Sequence, residues 1–268
     1  MKTALEQLSL PQAQPLLKVI SASRRTDLCA VYPARFVELL EKHPPRRVHT
    51  LVVWTKNPAN MLRPGPLRDA LSAYRQVFVH FTVTGLGGSV IEPGVPPPDE
   101  ALEMLRQVIA FTGDPRRVRL RFDPIVNIRH RGKVICNIDR FESLAAPAAD
   151  MGITHVTTSW MELYPKVRRR LAANRMEPAE YDRESQRVHL ERMAARLGLS
   201  LLFCCQPGLT QSSCIDGALF NTLHPDGALC DTRRAADQRS LCLCTRSLDI
   251  GWYSHTCSGG CAYCYATP

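Results

Sequence analysis

The chain has 268 residues, 45% of them apolar, enough for one substantial core and no more than one domain by default. No apolar run reaches the 18 residues of a membrane span, and the opening MKTALEQLSLPQAQPLL lacks the apolar core and small-residue cleavage site of a secretory signal. A net charge of +9 leaves room for a polyanionic partner, and the eleven cysteines are an odd number crowded toward the C-terminus. In a reducing compartment such crowding points to metal ligands rather than disulfides, so a cytoplasmic location is expected.

Taken in order, short β-rich apolar runs alternate with amphipathic patterns. Strands are predicted at 17–21, 48–54, 77–83, 118–122, 154–158 and 199–203, and helices around 33–42, 65–75, 98–112, 138–149 and 180–197. The helix from residue 98 has clear start signals, with prolines ahead of it, Asp99 and Glu100 in its first turn, and Gly113 to end it. Strand–helix alternation over six units predicts an α/β protein with a parallel sheet, either open or barrel-like. No internal repeat and no low-complexity linker interrupts it. Basic residues concentrate at Arg24–Arg25, Arg46–Arg47, Arg116–Arg121, Arg129–Lys133 and Lys166–Arg170. They make a nucleic acid one candidate partner.

Unusual polar residues fall where the predicted strands end. Ser21 to Asp27 follows the first, Thr55-Lys56-Asn57 the second, Thr82 and Thr84 with Glu92-Pro93 the third, and Asp123-Pro124 the fourth. Ser159-Trp160 and Cys204-Cys205-Gln206 follow the fifth and sixth. In parallel α/β folds the carboxyl rim is where ligands bind, whether the sheet is open or closed.

Two groups of cysteines stand out. Cys257-Ser-Gly-Gly-Cys261-Ala-Tyr-Cys264 puts three thiols in one short loop. Zinc ribbons close their tetrahedron with two paired knuckles, whereas three thiols in one loop suit three corners of an iron–sulfur cubane with the fourth iron open. Gly259 and Gly260 permit close backbone approach and positive φ. The second set is Cys205, Cys214, Cys242 and Cys244, with Cys204 and Cys230 in reserve. Four thiolates close either an auxiliary [4Fe-4S] cluster or a structural zinc site. Cys29 and Cys136 are isolated, as packing thiols would be.

C-x3-C-x2-C with Tyr263 before the last cysteine resembles the cluster motif of the radical S-adenosylmethionine (SAM) superfamily, and CSGGCAYCYA is most similar to the spore photoproduct lyase branch. There the motif lies near the front of a partial TIM barrel. Its C-terminal position here, with the opening I-S-A-S-R-R-T-D segment, resembles an uncharacterised family among the domains of unknown function, number eighteen forty-eight. The order Thr26-Asp27, Thr55-Lys56, Thr82/Thr84, Glu92-Pro93 is similar to that of the lyase branch if the cluster loop has moved to the back.

The resemblance therefore implies a circularly permuted, partial TIM-type (β/α)6 barrel. Residues 1–203 would form the barrel and 204–268 a Cys-rich segment on its mouth, with Leu248–Tyr253 a poor but available first strand. It further implies a [4Fe-4S] cluster on Cys257, Cys261 and Cys264 that binds SAM and generates a 5′-deoxyadenosyl radical, fed by flavodoxin or ferredoxin. Lys56 would pair with the SAM carboxylate, and Asp27 with its ribose or amino group. Thr26, Thr82, Thr84, Arg121 and Tyr263 would complete the cofactor site. No Gly-Gly-Glu run follows the first strand, so this superfamily's usual amino-group partner is missing. The competing expectation is a non-catalytic, zinc-bearing nucleic-acid-binding protein using the same cysteines and arginines.

Overall fold

The computed structural model describes residues 16–236, 238–253 and 256–266; the N-terminal stretch read for a signal lies almost wholly outside them. Along the chain run β1 (Lys18–Ala22), α1 (Leu28–Val31), α2 (Pro33–Glu41), β2 (Val48–Thr55), α3 (Ala59–Leu62), α4 (Pro66–Ser72) and β3 (Val77–Thr82). Then follow α5 (Pro98–Thr112), β4 (Val118–Ile125), β5 (Asn127–His130), β6 (Lys133–Cys136), α6 (Phe141–Asp150) and β7 (His155–Trp160). The remainder is α7 (Pro165–Ala173), β8 (Met176–Pro178), α8 (Arg183–Arg196), β9 (Ser200–Phe203), α9 (Gly217–Leu223) and β10 (Leu248–Asp249).

Seven strands form one parallel sheet in the order β10-β1-β2-β3-β4-β7-β9. Among the described residues no pairing joins β9 to β10, so the sheet is not closed into a barrel. All six predicted strands are present, in sequence order across the sheet. Only β10, two residues long, breaks that order by returning to the free edge of β1, where Ser21 sits opposite Asp249.

Right-handed crossovers between consecutive parallel strands place their helices on one face. That face holds the main core. Ile20, Leu51, Val53, Val79, Phe81, Leu120, Phe122, Val156 and Phe203 point into it against Phe36, Leu71, Leu105, Phe141 and Leu190 from the helices. The alternate residues of the same strands face the other way. There Val19, Val52 and Phe78 meet Cys214, Ile215, Phe220, Cys230, Cys242 and Cys244 of the C-terminal segment. The Cys-rich tail thus covers the sheet face that the helices leave bare.

The antiparallel β5–β6 hairpin, with β8 on its other edge, lies outside the sequence expectation. Its turn is Arg131-Gly132, both at positive φ, so the run read as a basic patch at 129–133 is a hairpin tip. A second correction concerns Arg119 and Arg121. Counted as basic surface, both are buried on the tail-covered face, at 4% and 7% exposure.

Candidate functional site at the carboxyl rim

The terminal loop is fixed by backbone bonds to the segment after β3. Ala262 N donates to Ile91 O at 2.9 Å and Gly94 N to Gly259 O at 3.2 Å. Gly94 is required by this contact, since a Cβ there would lie 1.8 Å from the carbonyl oxygen of Ser258. Gly260 takes φ +60°, and Gly259 faces the Cys257 and Cys261 sulfurs, where a Cβ would stand 3.5 and 3.8 Å from them. Glycine at both positions lets the loop backbone turn tightly beside the sulfurs. Each of the three is close enough to the others for its charge to act on theirs. Burial pushes the Cys261 thiol up to about 12 and raises Cys257 as well.

Beneath the loop lies a buried polar triad. Lys56, at the end of β2, donates from Nζ to Glu92 Oε1 at 2.9 Å and to Tyr263 Oη at 2.8 Å. Glu92 Oε1 also accepts from Thr84 Oγ1 at 2.8 Å and from Tyr263 Oη. The Glu92 side chain is fully buried, and its Oε2 has no hydrogen-bond donor among the described residues. Burial works against the charge on Lys56, but Glu92 and then Cys261 outweigh it, so the ammonium is held above its ordinary range. An ammonium has three N–H donors. Two are committed here, and the third has no partner among the described residues.

Asp27 sits at the end of the I-S-A-S-R-R-T-D segment. It caps α1 by accepting from Ala30 N at 2.9 Å, and it also accepts from Lys56 N at 2.8 Å and Thr55 Oγ1 at 3.1 Å. Burial raises it to about 6 against these stabilising bonds. Its charge also acts on Cys257. The structure therefore brings Asp27, Lys56, Thr84 and Tyr263 to the three terminal thiols. It does not do so for the rest. Thr26 Oγ1 is spent on the carbonyl of Trp252, Thr82 is partly exposed beside Arg121 in the ladder, and Arg121 points to the second set of cysteines.

That second set is larger than its spacing suggested. Cys204 lies within hydrogen-bonding reach of Cys205 and Cys214, Cys214 of Cys244, and Cys244 of Cys242. Hydrogen bonds from Cys204 and Cys244 hold Cys214 well below an ordinary thiol, and Cys244 brings Cys242 down to about 6. Cys204 was a reserve on sequence grounds because adjacent cysteines match no metal-ligand spacing; the fold puts it inside the set. Cys230 stands apart, its thiol directed to the carbonyl of Gly217. As they stand, the thiols form a run of neighbouring pairs, and among the described residues no three His, Cys, Asp or Glu side chains are gathered as around an ion.

Two further residues matter to the site. Glu92, expected at the rim in the turn after the third strand, is the centre of the triad. Asp249 accepts from Ser23 Oγ at 2.9 Å, Ser21 Oγ at 3.1 Å and Arg24 N at 3.1 Å, so the serines of the first segment fasten the returning tail.

Fold and site together define an α/β protein with an open parallel sheet and a thiol-bearing C-terminal tail laid over its carboxyl rim. The chain belongs to the family described as domain of unknown function DUF1848, whose profile matches residues 19–266. No curated protein matches it. Among solved structures, the carboxyl transferase domain from Rhizobium etli pyruvate carboxylase is similar over 80% of this chain and 44% of its own length. The identity is 11% and the TM-score 0.25, a likeness that carries no argument. Among the described residues no helix is long and apolar enough to cross a membrane.

Proposed function

We propose that this chain is a radical SAM enzyme on an incomplete, circularly permuted (β/α)6 barrel. The observation that carries the reading is the placement of three thiols from one glycine-containing loop over Lys56 and Asp27, at the carboxyl ends of β1 and β2. The return of β10 to the edge of β1, immediately before the cysteine loop, supports the permutation.

The donor set suits the implied group. Cys257, Cys261 and Cys264 would hold a [4Fe-4S] cluster, which would supply one-electron chemistry toward SAM. The chain's own residues would bind and orient. The third N–H of Lys56 would take the carboxylate of the methionyl group, with Glu92 fixing the ammonium from behind. Asp27, with three acceptor positions filled, keeps one for a ribose hydroxyl or the amino group. Thr84 and Tyr263 hold Glu92 in place. Tyr263, buried under the loop, also keeps water from the space between.

A cytoplasmic setting with flavodoxin or ferredoxin as electron donor follows from this chemistry. A nucleic acid as the molecule modified is the weaker part, because Arg119 and Arg121 are buried and unavailable to it. The competing zinc-bearing nucleic-acid binder gives the Lys56–Glu92–Tyr263 triad no task. Anaerobic reconstitution with iron and sulfide, followed by reductant and SAM, should release 5′-deoxyadenosine, and Lys56→Ala should abolish that release. A chain that takes up only zinc under those conditions, or binds nucleic acid unchanged by Lys56→Ala without cleaving SAM, refutes the proposal.

A further inference from the structure

The tail-covered face of the sheet carries two buried arginines, of which only Arg121 has an ion-pair partner among the described residues. Arg119 is 4% exposed, and its hydrogen bond is to the Thr157 hydroxyl at 3.4 Å, with no carboxylate within ion-pair distance among the described residues. Arg121 donates to Asp123 and, at 3.1 Å, to the Cys214 sulfur, while its guanidinium stacks 5.2 Å from the Trp54 ring. From the opposite side Arg239 reaches the Cys204 sulfur at 3.4 Å. His80 on β3 meets the Cys214 carbonyl oxygen at 2.7 Å, fixing the backbone that bears the thiol. A buried cation is tolerated only beside compensating negative charge. Asp123 supplies it for Arg121, whereas Arg119 faces the Cys214 and Cys244 thiols, and metal-bound thiolates would supply it there.

We propose that Cys214, Cys242, Cys244 and one of the adjacent pair Cys204/Cys205 ligate a second metal centre, separate from the terminal loop, with Arg119 and Arg121 balancing the charge of its thiolates. The ligand chemistry is a tetrathiolate, which accepts either a [4Fe-4S] cluster or one zinc. Three of the ligands are buried between the sheet and the tail, at 3–7% exposure, and the fourth comes from the sharp turn after β9, where Cys205 takes φ +53°. Binding would draw the run of paired thiols to one centre and release their protons. Tyr265 is close enough to both Cys204 and Cys264 for their charges to act on it, so the second centre would neighbour the first.

The test uses the full chain with C257S, C261S and C264S, which removes the terminal loop's ligands and makes the outcome independent of the function proposed above. This variant is loaded anaerobically with iron and sulfide, or with zinc, and desalted. It should retain about four iron with about four sulfide, or about one zinc, per chain. X-ray absorption should show sulfur-only coordination at about 2.3 Å for zinc. Adding C214S and C244S should lower bound metal at least tenfold. Should that variant unfold, C204A with C205A, at the partly exposed end, should produce the same loss. Absence of metal from the triple variant, nitrogen or oxygen in its coordination, or retention after C204A and C205A would each overturn the site. Which metal is retained identifies the occupant.

Discussion

Lys56→Met deletes the ammonium while keeping most of the stem, and so isolates the charge on Glu92. The Glu92 side chain is fully buried, and the variant leaves it two donors, Thr84 and Tyr263, both on Oε1. Breaking a buried ion pair from one side costs about 3–5 kcal/mol. The loss has a ceiling, because an isolated buried carboxylate can take up a proton instead. For an ordinary glutamate of pKa about 4.3, doing so at pH 7 costs about 3.7 kcal/mol. Metal-free Lys56→Met should therefore lose about 3–4 kcal/mol at pH 7, or about 10 °C in melting temperature for a chain of this size. At pH 5 the ceiling falls by about 2.7 kcal/mol, so most of the penalty should vanish. In the double variant with Glu92→Gln the loss at pH 7 should shrink to about 1 kcal/mol, giving a large coupling in a double-mutant cycle of urea midpoints. Additive effects, or a penalty that does not change with pH, would refute the triad.

Other outcomes follow from single contacts. Burial holds Asp27 at about 6 in the folded chain against an ordinary 3.8, so the folded state binds the extra proton. The stability this contributes is complete below pH 4 and is lost as pH rises through 6. The metal-free wild type should lose about 2–3 kcal/mol across that window relative to Asp27→Asn; parallel stability–pH curves would remove the shift. Gly94→Ala should expel the terminal loop, since the new methyl meets the Ser258 carbonyl at 1.8 Å, while the core melts almost unchanged. Limited proteolysis within the C-terminal tail with an unaltered melting temperature is the expected result, and a protected tail contradicts it. Asp249→Ala strips the acceptor from Ser21, Ser23 and Arg24 N, on which a two-residue strand depends, and should expose the tail to hydrogen exchange with a local cost of about 2–3 kcal/mol. Protection equal to wild type would show that the ladder alone holds β10.

The sheet was legible because its strands are buried on both faces and read as apolar runs, as Val48–Trp54 and Val77–Val83 do. The hairpin was not. Asn127–Cys136 alternates around Arg131-Gly132, but its exposed charges read as a patch before they read as a turn. Helix α7 hid in the same way, since Lys166 and Arg168–Arg170 drew attention away from Pro165 at its start and from Val167 and Leu171 on its buried face. Asp27 and Lys56 could be placed because strand ends mark the rim. Glu92-Pro93 was readable at the same rim, but nothing local shows that a residue ten positions beyond β3 folds back under a loop from the other end of the chain to meet Lys56 and Tyr263. Cys204 and Arg119 share that difficulty: one lacks a ligand spacing, the other looks like any surface arginine until the tail covers it.

The sheet order connects these observations. With β1, β2, β3, β4, β7 and β9 laid down consecutively, the helices α2, α4, α5, α6 and α8 go to one face, and among the described residues the opposite face is closed by the segment after Phe203. Among its described residues that segment contains one short helix and one two-residue strand, too little regular structure to hold itself by backbone bonds. What it does carry is sulfur at both ends, Cys204 to Cys244 against the arginines of β4 and Cys257 to Cys264 above Lys56. If both sets bind metal as proposed, ligation free energy becomes the folding free energy of the tail. The sheet and its helices, with their own apolar interior, would stand without metal, whereas the carboxyl rim would be assembled only in the loaded protein.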